Sequence, residues 1–209
     1  MRERYHDLPL REVDVDPDPM VQFGRWFEEW VATEPYDPNA TVLATVDPDG
    51  WPEARALLLK GIDERGFSFY TNRASAKACQ LESSPRGALC FLWHPVERQV
   101  RVRGPVELLS DDESDAYFAS RPRESQLGAW ASPQSSVIAD RSELEMAITR
   151  IDARFPERVP RPPQWGGYLL RPRVVELWQG RRGRLHDRLR YRRVPDTDDG
   201  AWVIERLAP

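Results

Sequence analysis

Between Asp18 and Thr33 the apolar residues recur at helical spacing, so that Phe23, Trp26, Phe27, Trp30 and Val31 fall on one face. Asp18 suits an N-cap and Pro19 the first turn, which predicts a helix packed on a sheet. After Asn39 the period changes to two. TVLATV (41–46), PEARALLLKGI (52–62) and FSFYTN (67–72), separated by the turns DPDG and DERG, predict a three-stranded antiparallel meander. SAKACQLESS (75–84) reads as a short helix, and GALCFLWH (87–94) and RQVRVRGPVELL (98–109) return to strand character. In the latter, Val100 and Val102 face one way and Gln99, Arg101 and Arg103 the other.

Ser110 and Glu113 form a capping box that opens a helix carrying Tyr117, and Pro122 should end or kink that helix near Arg121. A further amphipathic helix is predicted over 140–155. The proline-rich VPRPPQW (159–165) connects it to GYLLRPRVVELWQG (167–180), an arginine-rich stretch (178–193) and WVIERL (202–207), all read as strands. On the arginine-rich strand Arg184, His186 and Arg188 share a face. The helices do not alternate with the six to eight strands. The fold class is therefore mainly β, an antiparallel barrel with helices packed outside.

At 209 residues and 40% hydrophobic content the simplest organisation is one domain spanning 1–209, preceded by a short segment, 1–17, before the first helix. The charged opening MRERYHDLPL and the lack of any apolar run near ~18 residues predict a cytoplasmic protein with no membrane partner. Cys79 and Cys90 are expected to be buried free thiols, and three histidines argue against a metal site. No phosphate-binding G-x-x-x-x-G-K-[ST] loop, G-x-G-x-x-G turn, G-x-S-x-G elbow or H-E-x-x-H is present.

Charge changes the picture more. The formal net charge is −4, yet 28 of the 30 basic residues are arginine and seven of them lie within 178–193. The two lysines, Lys60 and Lys77, stand out as compact ammonium groups in an arginine-rich chain. Arg55, Lys60, Tyr70, Thr71 and Ser75 to Lys77 make a cradle suited to a phosphate monoester, or else solvated strand ends. Strict alternation puts Arg55 and Lys60 on opposite faces of one strand, which calls for a bulge or for two ligands. Tyr117, Arg121 and Ser125, spaced by four, offer a second phosphate a phenol, a guanidinium and a hydroxyl. The arginine-rich stretch is a third binding cluster or a charged face that keeps an edge strand soluble; a nucleic-acid surface fits poorly with a pI near 5.5.

The ordered series R-A-L-L-L-K, F-Y-T-N, S-A-K, R-Q-V-R-V-R-G, Y-F-A-S-R-P-R-E-S-Q-L-G-A-W-A-S-P-Q-S, W-G-G-Y, V-E-L-W-Q-G, R-L-H-D-R and the terminal R-L-A-P resembles the pyridoxamine 5′-phosphate oxidases, from Arg2 almost to Pro209. Phenazine-biosynthesis oxidases of the same scaffold share many of these motifs. The resemblance implies an FMN-binding split β-barrel and a homodimer with FMN in clefts at the dimer interface, where residues 165–209 would supply dimerisation and active-site strands. It implies an enzyme that oxidises pyridoxine 5′-phosphate or pyridoxamine 5′-phosphate to pyridoxal 5′-phosphate and reduces O2 to hydrogen peroxide.

Carried over by position, Arg55, Tyr70, Thr71, Lys77, Gln99, Gln134, Ser135, Trp178 and Arg188 would contact FMN. Lys60, Tyr117, Arg121 and Ser125 would hold the substrate phosphate, with Arg2 and Tyr5 in a segment able to close over it. Arg184 and His186 would lie over the substrate ring. The family usually has Arg-Lys where this chain has Ala76-Lys77, so one phosphate contact is missing and Arg73 is a candidate replacement. Two other classes remain: an oxidase of a phenazine-type ring, and a binding module that holds flavin or pyridoxal phosphate without turnover.

Overall fold

The computed structural model describes residues 8–194 and 201–209, so Arg2 and Tyr5 lie outside the described residues. Helix α1 (Pro19–Val31) is capped by Asp18, whose side chain accepts from the Met20 amide. Its apolar face delivers Phe23, fully buried, into an edge-to-face cluster with Phe67 (4.8 Å) and Phe91 (4.9 Å). Aromatic contacts of this kind contribute about 0.5–1.5 kcal/mol each beyond area burial.

Among the described residues ten strands follow, all paired antiparallel: β1 (Ala40–Val46), β2 (Pro52–Leu58), β3 (Gly61–Asp63), β4 (Gly66–Asn72), β5 (Arg86–Trp93), β6 (Arg98–Leu108), β7 (Trp165–Leu170), β8 (Val174–Gln179), β9 (Asp187–Arg193) and β10 (Trp202–Arg206). The main sheet runs β10-β9-β8-β6-β5-β1-β2, and β6 also pairs with β7, which continues to β4 and β3. This is the FMN-binding split-barrel fold, with α2 (Ala76–Ser83), α3 (Asp111–Ser120), α4 (Arg123–Ala131) and α5 (Arg141–Arg154) outside the strands.

Two segments read as continuous strands are broken. PEARALLLKGI divides at Leu59–Lys60: the Leu59 amide donates to Asn39 O (2.9 Å) and the Lys60 amide to Ser68 O (2.9 Å), so the chain leaves β1 for β4 between adjacent residues. The meander is therefore two hairpin pairs, β1–β2 and β3–β4. This resolves the alternation conflict, because Arg55 and Lys60 are not on one strand.

GYLLRPRVVELWQG divides at Pro172, where the Arg171 amide donates to Pro105 O and the Arg173 amide to Arg103 O. Gly104 permits this crossing, since a Cβ there would lie 1.8 Å from Arg171 O. Pro122 separates α3 from α4 outright, leaving Arg121 extended between them. Cys79 is exposed and Cys90 half-buried, contrary to expectation, because α2 turns Ala78, Gln80 and Leu81 inward and Cys79 out.

Candidate functional site

Arg55 shares a cross-strand row with Leu43, Leu89, Val102 and Val175, all core residues, and so lies on the inner face of the sheet at its β2 edge. Its guanidinium donates to Thr45 Oγ1 and to Gln80 Oε1 (3.0 Å). From the start of α2, Lys77 Nζ reaches Thr71 Oγ1 (3.3 Å) and Ser75 Oγ (3.4 Å), and Gln134 Oε1 accepts from Thr71 Oγ1 (3.2 Å) and the Asn72 amide (3.3 Å). Burial first, then Arg55, pushes the Lys77 ammonium below the usual lysine range. No carboxylate lies within ion-pair distance of Lys77 among the described residues, whereas Arg55 has only the half-exposed Glu53 (3.3 Å). Two cations with so little anionic compensation, beside two hydroxyls and a helix start, suit a phosphate.

A phosphate that joined them would draw the Lys77 pKa back up, so its binding should weaken as pH rises through the lowered Lys77 titration. Inorganic phosphate at ten times its Kd should stabilise the flavin-free protein by about 1.4 kcal/mol, a rise in Tm of roughly 3–5 °C for a chain of this size. Lys77→Ala should abolish that rise in a thermal melt, and an unchanged rise would remove Lys77 from the cradle.

On the other face of β4, Tyr70 stacks on Tyr117 (4.1 Å) and Trp165 (5.4 Å). Gly167 makes room for it, since a Cβ there would lie 2.7 Å from the Tyr70 ring. The Arg121 guanidinium lies over Trp165 at 4.6 Å, and its buried Nη1 has no hydrogen-bond partner. Burial holds Arg121 below its ordinary pKa. Tyr117, Arg121 and Ser125 do not share one helix face as their spacing suggested, because the break at Pro122 distributes them over α3, the linker and α4. The aromatic platform, not the spacing, brings Tyr117 and Arg121 together. Ser125 is half-buried near the start of α4, and Lys60 is exposed at the β2–β3 break; neither side chain bonds to another described residue.

Gln99, Trp178 and Arg188 form a third group, one cross-strand row of β6, β8 and β9. Their neighbours Val100, Leu177 and Leu189 are core, so this row faces outward. Glu176 accepts from Arg188 Nε (3.0 Å) and Nη2 (2.8 Å), and Ala208 O from Nη1 (2.9 Å). Arg184 and His186 are not on a strand, which corrects the shared face expected with Arg188. Residues 182–184 form a tight 3₁₀ turn, with Gly183 at φ +66° and Arg184 at φ +62°. Glycine-like backbone geometry at an arginine is strained by about 1–3 kcal/mol; Ser135, at φ +74°, is strained likewise.

His186 packs 4.6 Å from Trp178, and its Nδ1 accepts the Arg181 amide hydrogen (3.0 Å), which leaves the proton of the neutral ring on Nε2. Burial first, then Arg184, lowers its pKa. The remaining arginines of this stretch are not simply solvated: Arg190 and Arg192 pair with Glu205 on β10 (2.7 and 3.1 Å), and Arg193 lies over Trp202 (4.8 Å).

Within one chain the groups do not converge on a single pocket. Arg55 and Lys77 lie on the inner side, Gln99, Trp178 and Arg188 on the outer, and β2 is four strand spacings from β8, roughly 19 Å along the sheet. The outer face also exposes Val42, Val46, Leu58 and Leu92 and holds a groove of about 810 Å³ bordered by Ala44, Ala88, Arg103 and Val174.

Residues 27–155 match the family model described as pyridoxamine 5′-phosphate oxidase, and residues 165–209 match the pyridoxine 5′-phosphate oxidase C-terminal dimerisation region. The chain belongs to the pyridoxine/pyridoxamine 5′-phosphate oxidase family. It is 56% identical to the pyridoxine/pyridoxamine 5′-phosphate oxidase of Nocardioides sp. (strain ATCC BAA-499 / JS614), over 100% of this chain and 96% of that one. Among solved structures it is similar to PhzG from Burkholderia lata 383 in complex with tetrahydrophenazine-1-carboxylic acid, with a TM-score of 0.89 and 29% identity over 97% of this chain and 98% of that one. It also superposes on a pyridoxamine 5′-phosphate oxidase-related, FMN binding protein from Nostoc punctiforme PCC 73102, with a TM-score of 0.73 and 23% identity over 93% and 100% of the two chains.

Ala76 carries no charge, so the cation beside Thr71 is Lys77, with Arg55 near enough to lower its pKa. Arg73 is turned toward Gly166 and Asp111 (Nη2 to Asp111, 3.6 Å), with its buried Nε unpartnered. Three residues were missed by the sequence reading: Gln80 and Glu176, each buried on an arginine of the site, and Trp165 under Arg121. Trp165 carried a signal, since a tryptophan before two glycines on a strand marks a close approach; Gln80 and Glu176 carried none.

Proposed function

We propose that the chain is an FMN-dependent oxidase that converts pyridoxine 5′-phosphate and pyridoxamine 5′-phosphate to pyridoxal 5′-phosphate, acting in the cytoplasm as a homodimer of one-domain subunits. The observation that carries this reading is the pair of anion cradles on opposite faces of β4, Arg55 with Lys77 on one side and Arg121 with Tyr117 on the other. One fits a cofactor phosphate and the other a substrate phosphate. The two free cysteines agree with a reducing compartment.

The donor set fits FMN: a half-buried ammonium with no carboxylate, a half-buried guanidinium and the Thr71 hydroxyl would hold its phosphate, with Gln134 and Ser135 alongside, whereas Tyr70, on the opposite face of β4, stands with Tyr117 on the substrate side. Gln99, Trp178 and Arg188, on the opposite face of the sheet, would reach the FMN held by the other subunit. The exposed apolar residues of that face and the match of 165–209 to a dimerisation region support this arrangement. Lys60, Tyr117, Arg121 and Ser125 would hold the substrate phosphate. That phosphate is remote from the reacting carbon, so binding energy spent on it orients the ring without entering the chemistry.

When bound, FMN supplies the redox chemistry: two electrons leave the substrate for it and reach O2, giving hydrogen peroxide. Arg184, exposed at the tip of the 182–184 turn, and His186, neutral at its Nδ1, would lie over the substrate ring and orient its alcohol or amine for proton loss. Glu176 fixes the Arg188 guanidinium so that its charge needs no reorganisation during the reaction.

The test is the visible spectrum of FMN-loaded protein mixed anaerobically with pyridoxine 5′-phosphate and then exposed to air. Bleaching of the flavin that reverses with oxygen is expected. A yellow protein that does not bleach would contradict this substrate, and bleaching by a dihydrophenazine carboxylate instead would favour a phenazine-type ring. The identity of 56% to a pyridoxine/pyridoxamine 5′-phosphate oxidase, against 29% to PhzG, favours the first outcome.

A further inference from the structure

Arg55 and Lys77 stand close enough for the guanidinium to depress the lysine, yet nothing anionic is buried between them. Something must hold the Arg55 guanidinium in place beside Lys77 against their mutual repulsion. Gln80 does this from α2, one turn beyond Lys77. It is 7% exposed, and its Oε1 accepts from both Arg55 Nη2 (3.0 Å) and Thr45 Oγ1 (2.6 Å). Thr45, 3% exposed, in turn accepts from Arg55 Nη1. The guanidinium is thus held at both terminal nitrogens by buried neutral oxygens, and the one carboxylate that reaches it among the described residues, Glu53 (3.3 Å from Nη2), is half-exposed and screened by solvent. A carboxylate in place of Gln80 would hold it equally well and cancel the charge that a phosphate needs.

We propose that Gln80, with Thr45, is a positioning residue for the cofactor phosphate: it fixes the Arg55 guanidinium beside Lys77 without neutralising it. The inference rests on the reading of Arg55 and Lys77 as the FMN phosphate cradle. It gives this chain, with an uncharged Ala76 next to Lys77, a neutral means of keeping two cations effective.

The test compares the Kd of FMN with that of riboflavin, which lacks the phosphate, by quenching of flavin fluorescence on the flavin-free protein. Gln80→Leu should weaken FMN about tenfold, the effect of about one charge-assisted hydrogen bond, and leave riboflavin within about twofold. Thr45→Val, nearly isosteric, should act in the same direction and serves if Gln80→Leu does not fold. In an Arg55→Ala background, Gln80→Leu should cost nothing further, because Gln80 acts through Arg55. Equal weakening of both flavins, or full additivity with Arg55→Ala, would make Gln80 merely structural and overturn the proposal. If Arg55→Ala itself leaves FMN binding unchanged, the cradle reading is what fails.

Discussion

Arg121→Ala is expected to raise the KM for pyridoxine 5′-phosphate about 100-fold while FMN binding stays within about twofold. The guanidinium is half-buried, desolvated enough to lower its pKa, and presents a buried Nη1 with no partner. It is held in place by the Trp165 face rather than by a carboxylate. A cation kept at that cost gains most when a dianionic phosphate arrives, and one charge-assisted hydrogen bond near the upper end of its range of roughly 1.5–3 kcal/mol accounts for a hundredfold change. Steady-state kinetics on the FMN-loaded variant, with a parallel flavin titration, measures both. Loss of FMN with unchanged KM would mean that the two cradles have been assigned in reverse.

Arg184→Ala should lower kcat about 100-fold and leave flavin affinity unchanged. Arg184 occupies a left-handed conformation after Gly183, is exposed, and has no partner among the described residues. Nothing in folding rewards an arginine in that position, so the strain is evidence for a role outside stability. Arg184→Gly separates the two effects: it should raise thermal stability by about 1 kcal/mol, because glycine adopts φ +62° freely, while losing turnover as the alanine variant does. Unchanged kcat in either variant would remove Arg184 from the reaction.

Much of this architecture was legible in the sequence. The helix carrying Phe23 and Trp30, the capping box at Ser110 and the alternation of Val100 and Val102 against Gln99 and Arg101 are local patterns, and each formed as read. The breaks at Leu59–Lys60 and at Pro172 were not legible, because they depend on carbonyls of Asn39, Ser68, Pro105 and Arg103 that only the fold brings near. The same limit applied to the arginine-rich stretch. A period of two put Arg184 on the face of Arg188, but Gly183 turned the backbone first, and Glu205, thirteen or more residues away, claimed Arg190 and Arg192. The candidate residues came from resemblance. What the structure added is their grouping into two cradles on either face of β4 and a third set on the outside of the sheet.

That grouping carries the central claim, that each site is completed by a second copy of the chain. Lys77→Ala disables the inner cradle and Arg188→Ala the outer row, and each variant alone should be nearly inactive. When the two are unfolded together in equal amounts, refolded and loaded with FMN, half of the dimers are mixed, and each mixed dimer has one intact site and one site carrying both lesions. The oxidase activity of the mixture should return to about a quarter of that of unaltered protein. Activity no higher than that of the separate variants, with mixed dimers shown to have formed, would contradict the account and place every site within a single chain.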